Sequence, residues 1–144
     1  MTFPESGTSK PWHSASHHGN TPDGIMAYNM INTYRLGQFT YFLEKMKNTM
    51  EGDGSLLDKT VIVWGSAMGD GNVHNNIRCP LLLMGHANGA LEGNVHLSAE
   101  KGTPMANAFL SLMHRIGHDD MEFFGDSTGE FPLTVSDSSS EGAL

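Results

Sequence analysis

The stretch "TVIVWGS", Thr60 to Ser66, is the feature that most limits what this chain can fold into. It is β-branched and apolar at odd and even positions alike, so neither of its faces suits water. Such a run reads as a strand of a parallel sheet covered on both sides. A second run of the same character, "PLLLMG", follows at Pro80 to Gly85. Between them lies "AMGDGNVHNNIRC", Ala67 to Cys79, a loop in which Gly69 and Gly71 allow tight turns. The expectation is two neighbouring strands of one sheet, roughly parallel, with Ile62, Val63, Leu82 and Leu83 buried. The connection is long enough to cross over.

Two helices flank these strands. From Thr21, a possible N-cap followed by Pro22 at the first helical position, a long segment continues until Gly52 and Gly54 stop it. Ile25, Tyr28, Ile31, Leu36, Phe39, Phe42, Leu43 and Met46 are expected to share its buried face. The second helix is "TPMANAFLSLMHRIG", with Thr103 as cap, Pro104 at the first position, and Phe109, Leu110, Met113 and Ile116 on the buried side. Gly117 suits a left-handed C-terminal position. Helix, strand, strand, helix with glycine-rich loops after the strands suggests an α/β sandwich. In such sheets ligands gather at the carboxyl ends of strands, which singles out the loop carrying Asp70, Asn72 and His74.

Composition narrows the function classes. The chain has 144 residues, with 8 Lys+Arg against 16 Asp+Glu, for a net charge of −8. That length suits one domain with one core. An acidic chain with scattered basic residues is repelled by nucleic acid and anionic membrane. No apolar run approaches the ~20 residues of a membrane span. The lone cysteine, Cys79, forms no intramolecular disulfide. The N-terminus lacks the basic start and apolar stretch of a signal peptide, and residues 131–144, ending in "SDSSSEGAL", read as a flexible polar tail.

The stretch "WHSASHHGN", Trp12 to Asn20, sets His13, His17 and His18 within six residues. Neutral imidazoles suit zinc and similar divalent metals, and two or three of them with a carboxylate make a common catalytic site. The plain alternative is a solvated polar loop. For Asp70 and His74 the plain alternative is a glycine-rich turn whose polar side chains satisfy local N–H groups. If the histidines serve a site, His13, His17 or His18 must meet Asp70 or His74 in space, with Ser14, Ser16 and Asn72 orienting the rings.

"HSASHH" matches the HxxSHH motif of a bacterial family of unknown function. "INTYRLGQFTYFLEKMK", "GDGSLLDKTVIVWGSAMGDGNVHN", "PLLLMGHANGALEGNVHL", "TPMANAFLSLMHRIG" and "FGDSTGE" resemble the same family's C-terminal portion. The resemblance covers His13 to about Glu130. It implies that residues 1–130 correspond to the C-terminal portion of a single α/β domain in a longer protein, whose remainder would be a partner, and that the protein is exported or periplasmic. More broadly, "FTYFLEKMK…SLLDKTVIVWGS" resembles the alkaline phosphatase and sulfatase superfamily. That resemblance implies the C-terminal part of an αβα sandwich and a metal-binding pair at the end of the Thr60–Ser66 strand. The pair would fall on Ala67 and Met68, neither of which ligates hard metals, while Asp70 and His74 lie a few residues later. His96 occupies the region where the superfamily often places a metal-binding histidine. The implied function is a metal-dependent hydrolase of a phosphate or sulfate ester, on a small molecule or a glycan, in which the metal is a Lewis acid. The alternative is a non-catalytic binding or structural protein that has lost the metal pair.

Overall fold

The computed structural model describes residues 1–134. Four helices, α1 (Trp12–Ser16), α2 (Pro22–Asn48), α3 (Leu56–Lys59) and α4 (Met105–Arg115), are joined by four short strands, β1 (Met50–Glu51), β2 (Gly54–Ser55), β3 (Ile62–Gly65) and β4 (Leu81–Met84). The strands form two two-stranded sheets, β1 with β2 and β3 with β4, so the chain is of mixed α/β type. Among the described residues no helix is long and apolar enough to cross a membrane. Contacts divide the chain into two units, Met1–Met50 with Gly65–Leu81, and Glu51–Trp64 with the described part of Leu82–Leu144.

In the first unit α2 starts as its sequence predicts. Thr21 Oγ1 accepts the Gly24 N–H at 3.2 Å, and Pro22 occupies the first turn. The buried face meets the expected one at Ile31 and otherwise differs from it. Gly24, Ala27 and Ile31 are buried, whereas Ile25, Leu36 and Phe42 are 48, 48 and 44 % exposed. The physical reason is close approach. A Cβ at Gly24 would overlap the His18 carbonyl oxygen, so the histidine loop lies directly on a stripe of small residues. Large apolar side chains would hold that loop away.

Strands β3 and β4 do pair, but in opposite directions. Ser66 N–H donates to the Pro80 carbonyl at 3.1 Å, and Ala87 N–H donates to the Thr60 carbonyl at 3.0 Å, so rising residue numbers on one strand meet falling numbers on the other. The parallel expectation is therefore wrong. A crossover must spend the connection on reaching across the sheet. Here the connection pairs with itself through an Asp70–Asn75 antiparallel bridge and returns as an irregular hairpin. Burial also falls short of expectation, since Val63 is 41 % and Leu82 45 % exposed and Ile62 and Leu83 are half-buried.

In the second unit α3 carries a capping box. Ser55 Oγ accepts the Asp58 N–H at 3.2 Å and Asp58 Oδ2 accepts the Ser55 N–H at 2.9 Å. Helix α4 begins after Pro104, which is its N-cap, so Thr103 does not cap it. It ends as expected at Gly117, φ +99°, with the His118 N–H reaching the Met113 carbonyl at 3.0 Å in a Schellman motif. Leu110 is buried as expected, Phe109 and Met113 are half-buried, and Ile116 is 42 % exposed. Polar clamps bring in the chain that follows. Asn107 Oδ1 accepts the Thr128 N–H at 2.9 Å, and Ser111 Oγ accepts the Phe131 N–H at 2.8 Å. The segment read as a polar tail thus opens with packed residues, Thr134 being buried. Its remaining residues, 135–144, lie outside the described ones.

The second unit also holds a charge-dependent tie. His114 Nε2 lies 2.7 Å from the Met121 carbonyl oxygen and Nδ1 lies 3.0 Å from Glu130 Oε1. Both partners accept, so the ring makes both bonds only as an imidazolium. The Met121 carbonyl foremost, and then Glu130, raise its pKa above the ordinary 6.5. A raised value in the folded state means that this stabilisation is complete below the unfolded pKa and is lost as pH rises through the folded one. Urea unfolding followed from about pH 6 to about pH 8 is expected to show a midpoint that falls more steeply in the wild type than in His114→Asn. Identical slopes would remove His114 from the account.

Candidate histidine centre

Helix α1 is a single turn tied to α2 by its first residue. Trp12 Nε1 donates to Asn32 Oδ1 at 3.3 Å, and its ring lies 6.3 Å from Tyr28 and 5.1 Å from the Arg35 guanidinium. Ala15 and Ser16 are buried beneath it. Ser16 Oγ turns back to donate to the His13 carbonyl at 2.8 Å, which closes the turn. Spacing and helicity then bring His13 and His17 together, their ring centroids 4.9 Å apart and 82° inclined.

The second half of the site is the loop between β3 and β4. Asp70 Oδ1 accepts the Asn72 N–H at 2.8 Å, which closes an Asx turn. Gly69 N–H reaches the Asn75 carbonyl at 3.0 Å. His74 stands near the tip with φ +55°, a conformation unusual for a residue bearing a Cβ. Such strain persists only where surrounding contacts over-determine it, and it concentrates at functional sites.

Two contacts dock this loop on the HxxSHH stretch. Asn72 Oδ1 accepts the Gly19 N–H at 2.8 Å. Gly71 lies flat against Ser16, where an added Cβ would come within 3.2 Å of the serine Cβ. The serine of the motif thus does two things: its hydroxyl closes α1, and its small size admits the loop. As a result His74 Nε2 sits 3.2 Å from His17 Nε2, with ring centroids 4.7 Å apart, a hydrogen bond in which one ring donates its N–H; a metal shared by the two would require that hydrogen to move to the ring's Nδ1. The expected meeting of the histidine stretch with the Asp70–His74 loop is present, although 57 residues separate His17 from His74.

The donor set distinguishes the five candidates. Two imidazole nitrogens on one tetrahedral zinc, each about 2.0–2.1 Å from the metal, lie about 3.3 Å apart, which the His17–His74 pair matches. His13 touches His17 through its ring rather than joining the pair. His18 is different. Its Nδ1 accepts the Asn20 N–H at 3.1 Å, so Nε2 carries the ring hydrogen and faces Asp70 Oδ1 at 4.0 Å. A nitrogen bearing hydrogen does not ligate, and His18 therefore stands as a neighbour of the carboxylate. Among the described residues no three or more His, Cys, Asp or Glu side chains are grouped to hold a metal. A third ligand requires His13 or Asp70 to turn inward. Ala67 and Met68 are exposed and offer no ligand, and His96 is exposed in the second unit.

Asp70 also borders an open cavity of about 460 Å³, whose wall is completed by Gly69, Asn75, Ile77 and Arg78. Arg78 has no signature in the sequence beyond being a basic residue in an Asn-rich loop, and sequence reasoning passed over it. Compared with known proteins, the chain matches no protein-family model, no curated protein and no solved structure.

Proposed function

We propose that the first unit carries a divalent-metal site, zinc or similar, whose two fixed ligands are His17 and His74, and that it belongs to a metal-dependent hydrolase of phosphate or sulfate esters. The observation that carries the metal reading is the 3.2 Å approach of two Nε2 atoms supplied by distant segments and held by the Asn72–Gly19 clamp. The ester class and the αβα sandwich of a longer protein, of which this chain resembles the C-terminal part, rest on the resemblance to the HxxSHH family and to the alkaline phosphatase and sulfatase superfamily. A bound metal supplies Lewis acidity toward an ester oxygen. Ser16 and Asn72 fix the two ligand segments, and His18 keeps its N–H toward Asp70. The Asp70 carboxylate borders the cavity where an ester would lie.

The exposed Ala67 and Met68 favour a second reading, a binding protein on the same scaffold without catalysis. Zinc content and hydrolysis of an aryl phosphate and an aryl sulfate, measured before and after chelation, separate the two. The first reading expects bound zinc and chelator-sensitive turnover. Zinc without turnover contradicts the hydrolase alone, and a chain that takes up no metal contradicts both the site and the hydrolase and supports the second reading, a binding or structural protein that has lost the metal site.

A further inference from the structure

We infer that Arg78 receives the anionic group of the ligand, and that the cavity it shares with Asp70 takes a tetrahedral oxyanion, phosphate or sulfate. The tetrahedral shape rests on the hydrolase reading above, while the choice of residue rests on geometry. Asp70 and Arg78 are the two charged side chains on the cavity wall. Asp70 already has partners, since Oδ1 accepts the Asn72 N–H and faces His18. Arg78 forms no ion pair and no side-chain hydrogen bond among the described residues. In a chain with 16 acidic and 8 basic side chains, carboxylates are plentiful, yet among the described residues none pairs with this guanidinium.

The backbone supports the same assignment. Arg78 has φ +55°, a left-handed conformation that costs a residue bearing a Cβ about 1 kcal/mol. Its neighbours impose it. The Ile77 carbonyl packs so closely on Gly69 that any Cβ there would overlap it, and the Ile77 N–H donates to Asn75 Oδ1 at 3.3 Å. Two residues on, the Pro80 carbonyl is held by Ser66. The loop therefore spends backbone strain on a charged residue that lines a cavity and has no partner among the described residues. A guanidinium presents its donors as a planar fork that matches two oxygens of one oxyanion.

Titration of the whole chain with inorganic phosphate and, separately, inorganic sulfate tests this, with and without zinc, read by calorimetry and by amide shifts of residues 69–78. Arg78→Gln is expected to weaken oxyanion binding by about tenfold or more, and Arg78→Lys by a few-fold. Arg78→Gly, which relieves the backbone, should behave like Arg78→Gln and so separates loss of charge from loss of fold. Zinc uptake should be unchanged in all three. The inference is overturned if the wild type binds neither anion, or if Arg78→Gln binds as the wild type does. Acetate binding as tightly as phosphate and sulfate would overturn the tetrahedral part. Loss of zinc binding with oxyanion binding intact would contradict the metal reading alone.

Discussion

Replacing His74 with alanine is expected to lower zinc affinity by about a hundredfold or more, with helix content unchanged. Both proposed ligands, His17 and His74, are exposed, so either ring can be removed without opening a core. His17→Ala should match it, because each substitution leaves one imidazole where the geometry supplies two. His74→Asn separates ligation from backbone. Asparagine tolerates the left-handed conformation that His74 adopts at φ +55°, so the loop should keep its shape while the metal is lost. His18→Gln should weaken zinc binding far less, since the His18 nitrogen facing the site carries hydrogen. Equilibrium dialysis with zinc reads all four, and equal losses for His18→Gln and His74→Ala would refute the assignment of ligands.

Ile31→Ala is expected to cost about 3 kcal/mol of stability, the largest effect of any single truncation in the first unit. Ile31 is 0 % exposed, and the other buried apolar residues of that unit are alanines, Ala15 and Ala27. It is the largest fully buried side chain, so its truncation removes the most buried apolar volume there. Ile31→Val should cost about 1 kcal/mol. Urea denaturation gives both values, and a loss below about 0.5 kcal/mol for Ile31→Ala would show that the packing of α1 on α2 does not depend on this side chain.

Much of the element order was legible in the sequence, because its signals are local. Thr21 with Pro22, Gly117, and the apolar runs at Thr60–Ser66 and Pro80–Gly85 each act within a few residues, and each appears where expected. Strand direction was not legible. It depends on whether the Ala67–Cys79 connection crosses over or pairs with itself, and that is decided by one Asx turn and by the contact of Gly69 with the Ile77 carbonyl. The buried face of α2 was misread for a related reason. Periodicity weighs large apolar residues, whereas this face is selected for smallness by a loop lying on it. At the site, the meeting of His17 with His74 was legible from residue type and from the place of the loop after a strand. The tautomer of His18 and the place of Arg78 on the cavity wall were not, because both follow from single contacts that no spacing rule encodes.

The central claim is that His17 and His74 bind one metal ion between them. Following the imidazole nitrogen signals by NMR during a zinc titration tests it most directly. The Nε2 signals of His17 and His74 are expected to move together and saturate at one zinc per chain, while the His18 Nε2 signal keeps its attached proton. Movement of either ring without the other, or saturation with His17 and His74 both unshifted, would contradict it.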